Sequence, residues 1–368
     1  MADYFKTDNL AVGYGGNILI RDICLSVQKG KILTLIGPNG AGKSTILKSI
    51  IKNIAPIKGC VRIDGQEISQ WSVKEMARKV AVVLTERIRP ELMTCGEVVA
   101  MGRYPYTNML GRLTAEDHKK VRQALQQVHG EKLANQDFLT TSDGQRQRIM
   151  LARAICQEPE VIVLDEPTAF LDIRHKVEFL EILRKMAREK NITVIMSLHE
   201  VDLAAKISDY LVCVKGETIE NFGPPEKILQ DGTIEKLYDM EKGAYNLLFG
   251  SVELEKPSGN PQVFVVAGNG KGIPYFRMLQ KKGIPFVAGI LFENDVDYQV
   301  AKNLSNYVVE APAFEPVSEH TFQEAMEQLH KCQYILDAGT EIKTMNHYNG
   351  DLIQEAERIH LPKYSLDV

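Results

Sequence analysis

The stretch Lys31-Ile32-Leu33-Thr34-Leu35-Ile36-Gly37-Pro38-Asn39-Gly40-Ala41-Gly42-Lys43-Ser44-Thr45 decides the fold. Lys31 to Ile36 is a short apolar run ending in Gly37. From Ser44 to Ile51, residues Ile46, Leu47, Ile50 and Ile51 share one helical face. The order is strand, glycine loop, helix, and Gly37 to Thr45 matches the P-loop pattern in that context. Its glycines let successive backbone N–H groups turn inward around phosphates. Lys43 supplies a point charge and the helix N-terminus a favourable dipole. Gly37, Pro38, Asn39, Gly40, Ala41, Gly42, Lys43, Ser44 and Thr45 are therefore candidate nucleotide contacts, with Ser44 placed to ligate Mg²⁺.

Working outward, Val61-Arg62-Ile63 and Glu67-Ile68 flank Asp64-Gly65, a pair that tolerates positive φ and predicts a hairpin. An antiparallel element thus sits beside a parallel core. From Pro90 to about Thr141 the chain turns polar, with Val121, Leu125 and Val128 at helical spacing, which predicts a helical subdomain inserted at about 90–145. Strand-like Val161 to Leu164, helix-like Val177 to Arg188 and strand-like Ile192 to Leu198 then resume the βα alternation of a parallel sheet.

The run Val161-Ile162-Val163-Leu164-Asp165-Glu166 ends in two carboxylates, at the strand end where open α/β sheets bind ligands. Asp165 is the expected Mg²⁺ partner. Glu166 is the candidate general base that orients the attacking water in phosphoryl transfer.

Thr141-Ser142-Asp143-Gly144-Gln145-Arg146-Gln147-Arg148, before a helix, resembles the Leu-Ser-Gly-Gly-Gln signature of ATP-binding cassette (ABC) proteins. It keeps Ser142, Gly144 and Gln145, with Thr141 in place of the Leu and Asp143 in place of the first Gly. His199, after its strand, stands where the family has a switch histidine that contacts the γ-phosphate. Ala169-Phe170-Leu171-Asp172 resembles the family's D-loop, and Tyr14 the aromatic that stacks on adenine. Thr85-Glu86 follows Val80 to Leu84 where the family carries a glutamine reaching Mg²⁺. The resemblance leaves Thr85 touching the metal through water or Glu86 taking over.

The resemblance covers about Asp3 to Asp239 and implies an ABC-type P-loop NTPase domain with antiparallel and helical subdomains, a site for ATP and Mg²⁺, and ATP hydrolysis assisted by Lys43, Glu166 and His199. It also implies a homodimer, each ATP lying between one chain's loop and the other's Ser142 segment. Val83 to Arg87, Ser142 to Arg148 and Thr168 to Lys176 resemble the ATPases of iron-chelate, haem and vitamin B12 importers. That subfamily implies a separate membrane permease, an extracytoplasmic substrate-binding protein and a place on the cytoplasmic face of the membrane. The opposing class is a non-transport ABC ATPase in translation, repair or chromosome maintenance.

Composition agrees with a folded α/β chain of more than one domain. Its 368 residues, 44% hydrophobic and 25% charged, exclude a disordered or fibrous protein. Forty-four basic residues against 48 acidic ones leave no positive field for a nucleic acid, which is not an expected partner. The hydrophobic runs are strand-length, which indicates no membrane span. Cys24, Cys60, Cys95, Cys156, Cys213 and Cys332 show no Cys-x-x-Cys pairing and predict neither a zinc site nor a disulfide framework.

Glycine and proline from Glu241 to Gln262 predict a boundary, with domains at 1–240 and 261–368 and a linker at 241–260. The second domain reads as a smaller, Rossmann-like α/β unit. In it Val263 to Ala267 runs into Gly268-Asn269-Gly270-Lys271-Gly272 and a helix, with Glu293 about 20 residues on, near a ribose-binding position. A dinucleotide fingerprint needs glycine where Ile273 stands. For this accessory domain the sequence leaves open a regulatory role that senses a small-molecule, nucleotide or phosphate ligand and a purely structural or dimerising one.

Overall fold

In the computed structural model, which describes residues 3–84, 92–108 and 111–364, the chain divides between Thr233 and Ile234 into two units. The first begins with β1 (Phe5–Tyr14), β2 (Asn17–Ile23) and β3 (Ser26–Val27), followed by β4 (Ile32–Ile36) and α1 (Lys43–Ile50). Next come β5 (Lys58–Ile63), β6 (Gln66–Glu67), α2 (Val73–Lys79) and β7 (Val80–Val83). Asp64 and Gly65 do turn with positive φ, 52° and 73°, and pair Ile63 with Gln66. β1, β2, β3, β5 and β6 make the antiparallel sheet.

The stretch expected to be helical contains α3 (Cys95–Ala100) and α4 (Ala115–Gln127), with 3₁₀ turns between them and α5 (Asp143–Cys156). β8 (Val161–Leu164), α6 (Ile173–Lys190), β9 (Thr193–Ser197), α7 (Val201–Ile207), β10 (Tyr210–Lys215), β11 (Thr218–Gly223), α8 (Pro225–Ile228) and α9 (Thr233–Leu237) follow. The main sheet has the order β11-β10-β4-β9-β8-β7, parallel throughout except for β11. Every residue of β4, β8 and β9 is buried, which explains why these strands read as continuous apolar runs rather than alternating ones. Ile46, Leu47 and Ile50 of α1 pack on Leu33, Leu35, Val163 and Ile195 of this sheet. Because β4, β9 and β8 are neighbours and parallel, their C-terminal ends open on one edge.

The second unit differs from expectation at its start. Residues expected to be linker form a hairpin, β12 (Ala244–Asn246) and β13 (Ser251–Glu253). Two of the glycines that mark the boundary, Gly243 and Gly250, are turn positions with φ of 79° and 64°. The hairpin is pinned by Asn246 Nδ2 donating to Gln299 O at 2.9 Å and by an Arg277–Glu253 ion pair at 2.7 Å.

Beyond it, β14 (Val263–Val266), α10 (Ile273–Lys281), β15 (Phe286–Phe292), α11 (Val296–Leu304), β16 (Tyr307–Ala311), α12 (Glu319–Lys331), β17 (Tyr334–Asp337) and α13 (His347–Arg358) alternate. The four parallel strands have the order β16-β15-β14-β17. Val263 and Val265 pack toward α10 and α11, while Phe264 and Val266 pack toward α12 and α13, so both faces are covered. The sequence reading did not include α13, where Asn349 and Gly350 weaken the helical pattern that Leu352 and Ala356 complete by burial.

Candidate nucleotide site

The loop after β4 carries left-handed or similarly glycine-only backbone at Gly37 (φ 144°), Gly40 (79°) and Gly42 (91°). A side chain at Gly37 would run into Val214 O at 2.1 Å and one at Gly42 into Ile20 at 2.6 Å, so two of the three glycines are needed for space as well as for φ. Lys43 is buried, and its ammonium donates to Gly37 O at 2.7 Å and Pro38 O at 2.9 Å, which holds it across the loop. Burial pushes its pKa down, while the nearby carboxylates of Glu166 and Asp165 pull it back up. The loop lysine and both strand-end acids thus form one electrostatic site.

Asp165 and Glu166 follow β8, and the neighbouring strand β9 supplies the residue that fixes them, Ser197. The Ser197 hydroxyl donates to Asp165 Oδ1 at 2.6 Å and accepts the Glu166 amide at 2.9 Å. Glu166 itself has φ 48°, a conformation that an L-residue adopts at some cost and that the Ser197 bond helps to hold. His199 Nε2 lies 2.6 Å from Glu166 Oε1. Glu200 then ties the His199 turn to the loop after β8, accepting from Thr168 Oγ1 at 3.1 Å and pairing with Lys176.

Tyr14 is 56% exposed, and its hydroxyl sits 3.3 Å from Thr45 Oγ1, which places an open aromatic face beside the loop. Ser142, Gly144 and Gln145 lie on a separate element, the start of α5, where Ser142 and Gln145 cap the helix reciprocally at 3.3 and 2.9 Å. Asp143 pairs with Arg146 at 3.1 Å. A Cβ at Gly144 would come within 3.5 Å of Leu171, so the helix start packs beside the 169–172 loop. Thr85 and Glu86 lie outside the described residues.

The structure thus brings the loop lysine, the paired acids and His199 to one place and adds the supporting contacts of Ser197 and Glu200, which the sequence reading did not name, with Thr168 and Lys176, which it named only for a family resemblance. A serine near the end of an apolar run carries no signal by itself. Its partner set depends on the β8–β9 register.

The donor set suits a hard cation. Ser44 offers a hydroxyl and Asp165 a buried carboxylate, matching the few protein oxygens that Mg²⁺ takes when phosphates and water complete its shell. Among the described residues, no group of three or more His, Cys, Asp or Glu is placed to hold a metal without such help.

Residues 20–169 match the ABC transporter family and residues 286–367 match the MJ0874 family. The chain is 43% identical over 287 residues to the uncharacterized ABC transporter ATP-binding protein MJ0873 of Methanocaldococcus jannaschii, covering 78% of this chain and 99% of the relative. It is 38% identical over 232 residues to the achromobactin transport ATP-binding protein CbrD of Dickeya dadantii, covering 63% and 86%. It is 32% identical over 302 residues to the cobalamin import ATP-binding protein BtuD of Halobacterium salinarum, covering 80% and 75%.

Among solved structures, a metal-chelate type ABC transporter in an inward-facing conformation is similar with TM-score 0.57 and 27% identity, covering 64% of this chain and 88% of that one. The dimeric ATP-binding cassette MJ0796 bound to ADP and Pi is similar with TM-score 0.54 and 25% identity, covering 60% and 98%. The chain belongs to the ABC transporter ATP-binding proteins. It is an ATPase that binds ATP.

Proposed function

We propose that this protein powers uptake of an iron-siderophore, haem or cobalamin-type substrate through a separate membrane permease. Hydrolysis rests on one observation above all, the convergence of Lys43, Asp165, Glu166 and His199 at one edge of the parallel sheet. The importer class is supported by the relatives named for achromobactin transport and cobalamin import.

In this reading Gly37 to Thr45 cradles the phosphates of ATP and Tyr14 stacks on its base. Lys43 leaves the loop carbonyls for the β- and γ-phosphates. Glu166 orients the water and takes its proton, and His199, in contact with that carboxylate, reaches the γ-phosphate. Ser44 and Asp165 hold Mg²⁺, which when bound neutralises charge on the phosphate oxygens.

Two copies pack head to tail, so that Ser142, Gly144 and Gln145 of one copy close over ATP on the other. The dimeric form of the similar cassette supports this arrangement. No helix among the described residues is long and apolar enough to cross a membrane. In this reading the chain works, as its importer relatives suggest, as a peripheral subunit on the cytoplasmic face of the cell membrane, with an extracytoplasmic binding protein delivering substrate to the permease.

Mild-detergent extraction of native membranes, isolation through a tag and mass spectrometry of stoichiometric partners tests the proposal. Recovery of a polytopic permease supports it, and that permease's binding protein is then screened with iron chelates, haem and cobalamin. Recovery with ribosomes or DNA rejects transport while leaving the ATP site intact.

A further inference from the structure

The chain contains a second strand–glycine loop–helix element, β14 to α10, built like the first. Gly268 (φ 146°), Asn269 (59°) and Gly270 (76°) turn it, and α10 starts directly after Gly272 with no side-chain cap. The four-strand order places this loop at the point where the winding direction reverses, between β14 and β17, where open α/β sheets take ligands. Glu293 follows β15, as a ribose-binding acid would. Apart from Ile273, where a dinucleotide fingerprint has glycine, the loop and helix start have the layout of a phosphate site.

The anion is already there. Asp297, in the first turn of α11, is fully buried beneath the loop. Its Oδ2 accepts the amides of Gly268 at 2.8 Å and Gly272 at 2.9 Å, and its Oδ1 accepts the Ile273 amide at 3.2 Å. Asp295, the N-cap of α11, takes the Asn269 amide at 2.8 Å and the Asp297 amide at 2.9 Å. Four loop amides, including those at the start of α10, are thus spent on carboxylates of the same chain. Lys271 Nζ donates to Gly339 O at 2.7 Å, bridging the loop to the segment after β17. An isolated phosphate would have to displace a buried carboxylate and leave that charge unpaired, a large cost.

We propose that Asp297 is a resident phosphate surrogate that locks the second glycine loop, so that the chain takes nucleotide only at Gly37 to Thr45. The carboxylate stabilises the otherwise unpaired amides and excludes nucleotides at the same time. This inference stands independently of what is transported.

Two measurements on the full chain test it. Equilibrium dialysis with ATP is expected to give one nucleotide per chain, and with NADH none. Two ATP per chain, or NADH held by the Lys43→Ala chain, overturns the proposal without any change at position 297. The second measurement compares thermal melting of Asp297→Gly and its parent in rising inorganic phosphate. Removing the carboxylate empties the nest, so the variant is expected to melt lower and to regain about 3 °C more than the parent as phosphate fills it. An equal phosphate response in both chains overturns the surrogate role. Should Asp297→Gly not fold, the dialysis result and the same comparison with Asp297→Asn decide the matter, since Asn keeps the shape but presents only one acceptor oxygen.

Discussion

In the site proposed for hydrolysis, the Ser197 hydroxyl holds two consecutive acids. It donates to one acid and accepts the backbone of the next, so its loss removes one bond from the Asp165 carboxylate and one from the left-handed turn at Glu166. A hydrogen bond to a charged group contributes about 1.5–3 kcal/mol, so Ser197→Ala is expected to lower turnover roughly 10- to 100-fold while ATP still binds. Ser197→Thr, which keeps the hydroxyl, is expected to recover much of it. Equal loss of ATP binding and turnover in Ser197→Ala would mean that the residue only supports the fold. Glu166→Gln should lower steady-state hydrolysis by about 100-fold or more and trap an ATP-bound dimer, read by gel filtration with ATP. Hydrolysis at the parent rate would remove Glu166 from the water-orienting role. Glu166 was legible because acids at the end of an apolar strand are an exposed pattern. Ser197 was not, because its meaning lies in a strand pairing between residues more than 30 apart.

Among the elements, a buried guanidinium braces the helical stretch around α3 and α4, alongside buried apolar residues such as Val99, Val121 and Leu125. Arg103 pairs with Asp117 at 2.8 Å and Glu158 at 2.9 Å, donates to Cys156 O at 2.9 Å, and stacks 4.0 Å from the Tyr106 ring. It thereby ties the start of α4 to the end of α5. Removing one partner of a buried pair strands the other, so Arg103→Met is expected to cost about 3 kcal/mol, measured by denaturant unfolding. The backbone amide of Thr114, with its hydroxyl and Arg103, holds the Asp117 carboxyl at about 2 against an ordinary 3.8. A folded-state value below the unfolded one gives stability that is full above about pH 3.8 and is lost as pH falls toward 2. Thermal melts between pH 5 and 2 should show that loss, and Asp117→Asn should flatten it. An unchanged acid slope in Asp117→Asn would place the titrating group elsewhere. The sequence carried the helical character of this stretch in the spacing of Val121, Leu125 and Val128, but Arg103 looked like any surface arginine. Similarly, the stretch around Asn246 to Phe249 reads as a short strand-like piece in a linker, whereas these residues end β12 and enter its turn to β13, because glycines that turn a strand pair also mark a linker.

At the scale of the molecule, each unit has its own apolar core. Phe5, Ile46, Leu47, Val163 and Ile195 belong to the first, and Phe264, Phe276, Phe286, Leu329 and Leu352 to the second. The loop proposed to take ATP lies in the first unit, whereas the second contains the glycine loop whose amides Asp297 accepts. Separate cores with only one responsive site should unfold as two thermal transitions in the full chain, and ATP with Mg²⁺ should raise only one. A ligand at about 100 times its Kd stabilises its own unit by about 2.7 kcal/mol, enough to separate the transitions by calorimetry. Glu355 supplies the marker for the other transition. Arg358 and then His330 hold its carboxyl at about 2, the first through bonds of 2.6 and 2.7 Å within α13 and the second through one of 3.0 Å from α12. Glu355→Gln discards that pairing and should lower the ATP-insensitive transition while the ATP-raised one stays in place. If ATP raised both transitions together, or Glu355→Gln lowered both, the units would be one cooperative body. The second domain would then report nucleotide state directly, despite a loop that holds no nucleotide of its own.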